Sequence, residues 1–181
     1  MRTPFRLIVL AVTSVLAALA LSVPASAATS PYCGITWGSL TKSAGTTATP
    51  STTLTGVRTG QHDCYDRLVL DLGSVSGPVS YTVGYTTVRG VATGDPIPLA
   101  GDGDLSITLR AHGESLTFAD RNHIANVTGY RTFRQVASGG SFEGVTVLGL
   151  GVRARLPFRA LVLDGPAAGQ KRLVIDVAHA W

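Results

Sequence analysis

Two stretches of the chain share one strand pattern, and this repeat restricts the fold more than any other feature. Asp66-Arg67-Leu68-Val69-Leu70-Asp71-Leu72 returns 105 positions later as Lys171-Arg172-Leu173-Val174-Ile175-Asp176-Val177. Each copy reads Arg, apolar, Val, apolar, Asp, apolar, the period-two alternation of a half-buried β-strand. Within one strand Arg67 and Asp71 stand about 13 Å apart, too far to pair with each other. Two arrangements are open. As antiparallel neighbours with Val69 opposite Val174, the copies set Arg67 against Asp176 and Asp71 against Arg172, so both charge pairs form together. Alternatively, each copy belongs to its own half of the fold and finds partners elsewhere. In-register parallel pairing is disfavoured because it sets Arg beside Arg.

The rest of the chain reads as more strands between turn signals. Leu54 to Arg58, Val79 to Tyr85, Leu105 to Leu109, Tyr130 to Val136, Val145 to Val152 and Phe158 to Leu163 are apolar or alternating runs. Gly60 to Cys64, Gly77-Pro78, Gly94-Asp95-Pro96, Gly101 to Asp104 and Gly165-Pro166 are turns, and Gly139-Gly140 is a hairpin signal. Thr41 to Thr55, rich in Ser and Thr and containing Pro50, is expected to be a surface loop. After the N-terminal apolar run no segment sustains a helical apolar period; the best helix candidate is a short piece around Ala119 to Asn126. The expectation is an all-β sandwich or flattened barrel of about eight to ten strands.

The first 27 residues have the composition of an export signal. Arg2 and Arg6 precede an apolar run from Leu7 to Val23, and Ala25-Ser26-Ala27 after Pro24 is a small-residue cleavage site. The expected organisation is a signal peptide (1–27), an N-terminal extension and loop (28–53) and one β domain (54–181). Signal removal leaves no apolar stretch long enough to span a bilayer. It also takes 15 Lys+Arg to 13 against 11 Asp+Glu, a scattered balance of +2. Nucleic-acid binding, which wants a dense basic face, is not expected. Cys33 and Cys64, both in the exported part, are expected to form a structural disulfide. A redox pair normally has C-x-x-C spacing, and a zinc site needs more ligands. Closing such a loop is worth roughly 3–4 kcal/mol in the chain-entropy account.

Few residues point to chemistry. Gly139-Gly140-Ser141-Phe142-Glu143-Gly144 lacks the second glycine of a serine elbow, with Glu143 in its place. His62, Asp63 and Asp66 lie near one another and near Cys64, and His179 approaches them if the repeated strands pair. The candidate ligand-contacting set is His62, Asp66, Arg67 and His179. A His, Asp, Asp, His group has the donors for zinc, but its spacing is not diagnostic. Polar residues at strand ends are the simpler reading, so no catalytic residue, metal or cofactor is assigned. Trp37 and Trp181 are the aromatic residues least tied to an alternating apolar pattern, and hence candidate stacking surfaces.

Gly60-Gln61-His62-Asp63-Cys64-Tyr65-Asp66-Arg67, Ser141-Phe142-Glu143-Gly144, Leu156-Pro157-Phe158-Arg159 and Arg172-Leu173-Val174-Ile175-Asp176-Val177 together resemble the motifs of the AMIN-like domain, a family of secreted actinobacterial proteins. The similarity runs from about Leu54 to the C-terminus. That family is related in pattern to the AMIN module, a β-sandwich that targets cell-wall amidases and other envelope proteins. The resemblance implies a secreted or wall-associated, non-catalytic module that binds peptidoglycan or an envelope protein, with no catalytic residues to carry over. The alternatives from other classes are a small cell-wall hydrolase using a carboxylate or His site, and a purely structural secreted domain.

Overall fold

The computed structural model describes residues 32–45 and 52–181. The expected signal peptide and part of the Ser/Thr-rich loop lie outside them. Nine strands form two antiparallel sheets: β1 (Lys42–Ala44), β2 (Leu54–Gln61), β3 (Tyr65–Ser74), β4 (Tyr81–Tyr85), β5 (Gly103–Leu109), β6 (Phe133–Phe142), β7 (Val145–Val152), β8 (Phe158–Asp164) and β9 (Gln170–Ala178). One sheet has the order β1-β4-β5-β7-β6 and the other β2-β3-β9-β8. The architecture is a sandwich rather than a closed barrel.

Alternation decides which side chains fill the space between the sheets. Leu68, Leu70 and Leu72 of β3, with Leu173, Ile175 and Val177 of β9, form the inner face of the four-stranded sheet. Leu105, Ile107 and Leu109 of β5, with Leu148, Leu150 and Val152 of β7, face them from the other sheet. Phe133 and Phe158 are the largest fully buried side chains.

The repeated strands are direct neighbours. β3 and β9 run antiparallel at the centre of their sheet, with Val69 opposite Val174, Arg67 opposite Asp176 and Asp71 opposite Arg172. The two-halves arrangement is thereby set aside.

The N-terminal segment ties the two sheets along one side. Gly38 accepts a hydrogen bond from the Phe158 amide at the edge of β8, and β1 then pairs with β4 of the opposite sheet. The expected loop from Thr41 therefore contains a strand. Gly84 makes room for it, because a Cβ there would stand 2.7 Å from Thr41 Oγ1. Tyr85 closes this seam: its ring meets Phe158 edge-on at 5.6 Å, and its hydroxyl donates to the Leu156 carbonyl at 2.6 Å.

Three local expectations are corrected. Gly139-Gly140 is not a hairpin turn but lies inside β6, at a bulge where the register with β7 shifts between Ser138 and Gly140. The turn between β6 and β7 falls at Glu143 and Gly144, both with positive φ (50° and 73°), as a two-residue turn between twisted strands requires. The segment 119–126 is a run of turns rather than a helix. One Asp120 carboxylate oxygen accepts the Asn122 amide, and the other contacts His123 Nδ1 at 2.7 Å. The Arg121 carbonyl and Ile124 amide bond to Ser138 and Val136 on the edge of β6, so this backbone is committed to the sheet. Finally, Tyr130 precedes β6, because its amide closes a turn onto the Val127 carbonyl.

Gly149 and Gly151 of β7 point away from the core, beneath the loop that carries Val88, Leu99 and Ala100. A Cβ at Gly149 would meet flexible Leu99 and Val88 side-chain ends, whereas one at Gly151 would strike the Ala100 backbone carbonyl. Gly151→Ala should therefore lower unfolding free energy by about 1–3 kcal/mol, an overpacking cost, and Gly149→Ala by less. Urea denaturation of both variants checks the order. Burial raises the Tyr85 hydroxyl to about 12, against the lowering effect of nearby Arg155. An unfolded tyrosine ionises near about 10, so above that pH the unfolded chain binds fewer protons and stability falls as pH rises. Tyr85→Phe should flatten the fall between those two values, measured by denaturation at stepped alkaline pH.

Candidate functional site

Period two splits the residues around the start of β3 between two faces. Asp66 points inward and is fully buried; Arg67 points outward and is partly exposed. The inward group is a clamp between the sheets. One Asp66 carboxylate oxygen accepts the amides of Thr132 and Phe133 at 2.6 and 3.1 Å, and the other meets His179 Nε2 at 3.0 Å. His179 Nδ1 lies 3.1 Å from the Asp63 carbonyl, and the His179 amide donates to the Cys64 carbonyl. Arg153 of the loop after β7 donates to the His179 carbonyl. Four chain segments therefore meet at one buried polar cluster. Both His179 ring nitrogens face oxygen acceptors, so neither directs a lone pair at solvent as a general base must.

The outward group gathers a second set. Asp176 is fully buried on the outer side of β9, and two guanidinium groups share its carboxylate. Arg67 reaches it through Nε at 2.6 Å and Nη2 at 2.9 Å, and Arg159 of β8 through Nε at 2.8 Å. Hydrogen bonding to Asp176 holds the Arg67 guanidinium above its ordinary value, against the effect of burial. Both guanidiniums lie over the Tyr65 ring, at 5.2 and 5.4 Å, and Arg159 also lies over Trp37 at 5.4 Å. Exposed His62 packs its ring against Tyr65 at 4.6 Å. The Cys33–Cys64 disulfide forms beside this cluster and holds the N-terminal segment that carries Trp37.

The four candidate contact residues therefore do not make one surface. Asp66 and His179 meet, but inside the clamp. Arg67 lies on the opposite face, and His62 joins it only through Tyr65. The reciprocal charge pairing is half realised. Arg67 binds Asp176, but Asp71 takes a bidentate partner from β2, Arg58, with contacts of 2.6 and 2.7 Å. Arg172 instead donates to the Asp164 carbonyl. Trp37 is not an open stacking surface: it is only 6% exposed, and its Nε1 donates to the Tyr32 carbonyl. Trp181 is exposed. Arg159 and Tyr65 stand in the motifs of the family resemblance but outside the candidate contact set, although the alternation of Phe158-Arg159 already sets Arg159 outward. Its meeting with Asp176 needed the β8–β9 register.

Among the described residues, no group of three or more His, Cys, Asp or Glu side chains could hold a metal ion. No helix among them is long and apolar enough to cross a membrane.

Two antiparallel sheets, a disulfide-anchored N-terminal segment and a surface of guanidinium donors define a small all-β module. The chain belongs to the AMIN-like domain family, whose match covers residues 52–179. No curated protein and no solved structure gives a significant match.

The two aspartates of the β3 segment make opposite demands. Asp66→Ala strips the clamp of its carboxylate and leaves buried amides unpaired, so it should cost about 3–5 kcal/mol. Asp71→Ala removes a largely exposed pair and should cost about 1 kcal/mol or less. Chemical denaturation of the two variants checks the contrast.

Proposed function

We propose that this protein is an exported, non-catalytic module of the cell envelope that binds peptidoglycan or an envelope protein partner. The observation that carries the reading is the AMIN-like match across most of the chain, which points to a cell-wall-associated module. The arginine and aromatic face supports it, because guanidiniums held in place on partly exposed side chains are suited to binding. The buried His179–Asp66 pair is consumed by structural hydrogen bonds. Glu143, one of the two glutamates of the chain, occupies a positive-φ turn position.

Retention of the purified domain on isolated peptidoglycan at low salt is the expected outcome. Absence of retention would remove the wall as ligand. Clearing of wall fragments by the wild type that Glu143→Gln abolishes would replace the binding reading with a hydrolytic one.

A further inference from the structure

The cluster around Asp176 carries one positive charge more than it neutralises. Arg67 and Arg159 both pair with this single carboxylate. A bidentate contact from Arg67 alone would satisfy the buried charge, so the second guanidinium is an excess cation. No other carboxylate contacts either group among the described residues: Asp71 is held by Arg58, and Asp66 lies on the inner face with His179. The two arginine side chains are only 23% and 26% exposed, so solvent screens the excess charge incompletely. Arg159 uses Nε alone; among the described residues its Nη1 and Nη2 groups donate to no acceptor, and neither does Arg67 Nη1.

We propose that Arg67 and Arg159 form a receptor for the carboxylate of a short peptide, with Asp176 beneath and Tyr65 and Trp37 behind. The inference rests on the envelope-binding reading and names the feature of the ligand that is read. The shared contact to Asp176 and the stacking on Tyr65 hold both forks before any ligand arrives, which lowers the ordering cost of binding. A carboxylate supplies the one missing negative charge, and its two oxygens match the planar fork of guanidinium donors. A pyranose ring is a poorer fit. Trp37 is buried, and Tyr65 is already engaged by Arg67, Arg159 and His62, so the face offers charge rather than an open stacking platform.

The test is an NMR titration that follows the arginine Nε–Hε resonances. The probes are acetyl-D-alanyl-D-alanine, its C-terminal amide and inorganic phosphate. The carboxylate form should shift the Arg67 and Arg159 signals saturably, and the amide should leave them in place. Arg159→Gln should weaken the carboxylate about tenfold or more, the loss expected for one charge-assisted contact. Arg159→Lys keeps the charge but loses the fork and should fall between. Equal responses to acid and amide would overturn the proposal, as would a response to phosphate alone. The acid-against-amide comparison uses the wild type, so it stands even if a variant fails to fold. Sacculi before and after carbodiimide amidation separate this inference from the broader one. Retention that ignores amidation leaves wall binding in place and removes the carboxylate receptor. Loss of all retention alongside a saturable peptide response does the reverse.

Discussion

Asp176 is a fully buried carboxylate on the outer side of the central strand pair, a position that is tolerable only with partners in place. Those partners come from the strands on either side: Arg67 from β3 and Arg159 from β8. Both contacts need a register that sets residues 67, 176 and 159 side by side. A shift of β9 by one residue would turn Asp176 into the apolar core and carry Ile175 out of it. The ion pairs and the Leu68, Leu70, Leu173 and Ile175 packing therefore specify the same alignment from opposite faces of one sheet.

That alignment also separates two roles which sequence proximity would merge. Asp66 and Arg67 are neighbours in the chain, yet alternation sends one between the sheets and the other onto the surface. The inward residue is wholly committed. Its oxygens satisfy two backbone amides at the start of β6 and one histidine nitrogen at the end of β9, joining both sheets. The outward residue is partly exposed, and its Nη1 has no acceptor among the described residues. Burial and full hydrogen-bond satisfaction make the first group architectural, and residual donors with an unbalanced charge make the second available for binding.

Much of the fold was legible in the residues. The apolar and alternating runs located eight of the nine strands, with only their ends displaced, because a half-buried strand imposes its period locally. The Val69–Val174 register was one of the two arrangements that the charge spacing left open, and the fold adopts it. What the residues misled on was governed by distant partners. Gly139-Gly140 has hairpin chemistry but serves a bulge, since the chain reverses four residues later at Glu143-Gly144. Lys42–Ala44 has no strand signal of its own and is extended because β4 offers it an edge. Asp71 turned from Arg172 because Arg58, on the strand at its other side, reached it with both nitrogens.

The candidate site was legible only in its parts. Sequence by itself determined the fold class, the pairing of the repeated strands as one of two arrangements, the disulfide as the expected use of two cysteines, and the family resemblance. Each rests on periodicity, charge spacing or short motifs, which are local properties. Tertiary structure alone decided that Arg159 meets Asp176 beside the Tyr65 and Trp37 rings and that His179 belongs to a buried clamp. Those outcomes depend on strand order and on which face each side chain takes once β8 and the N-terminal segment dock. The repeated Arg and Asp thus marked the centre of a sheet, and the fold made one of them, Arg67, part of a surface with charge to spare.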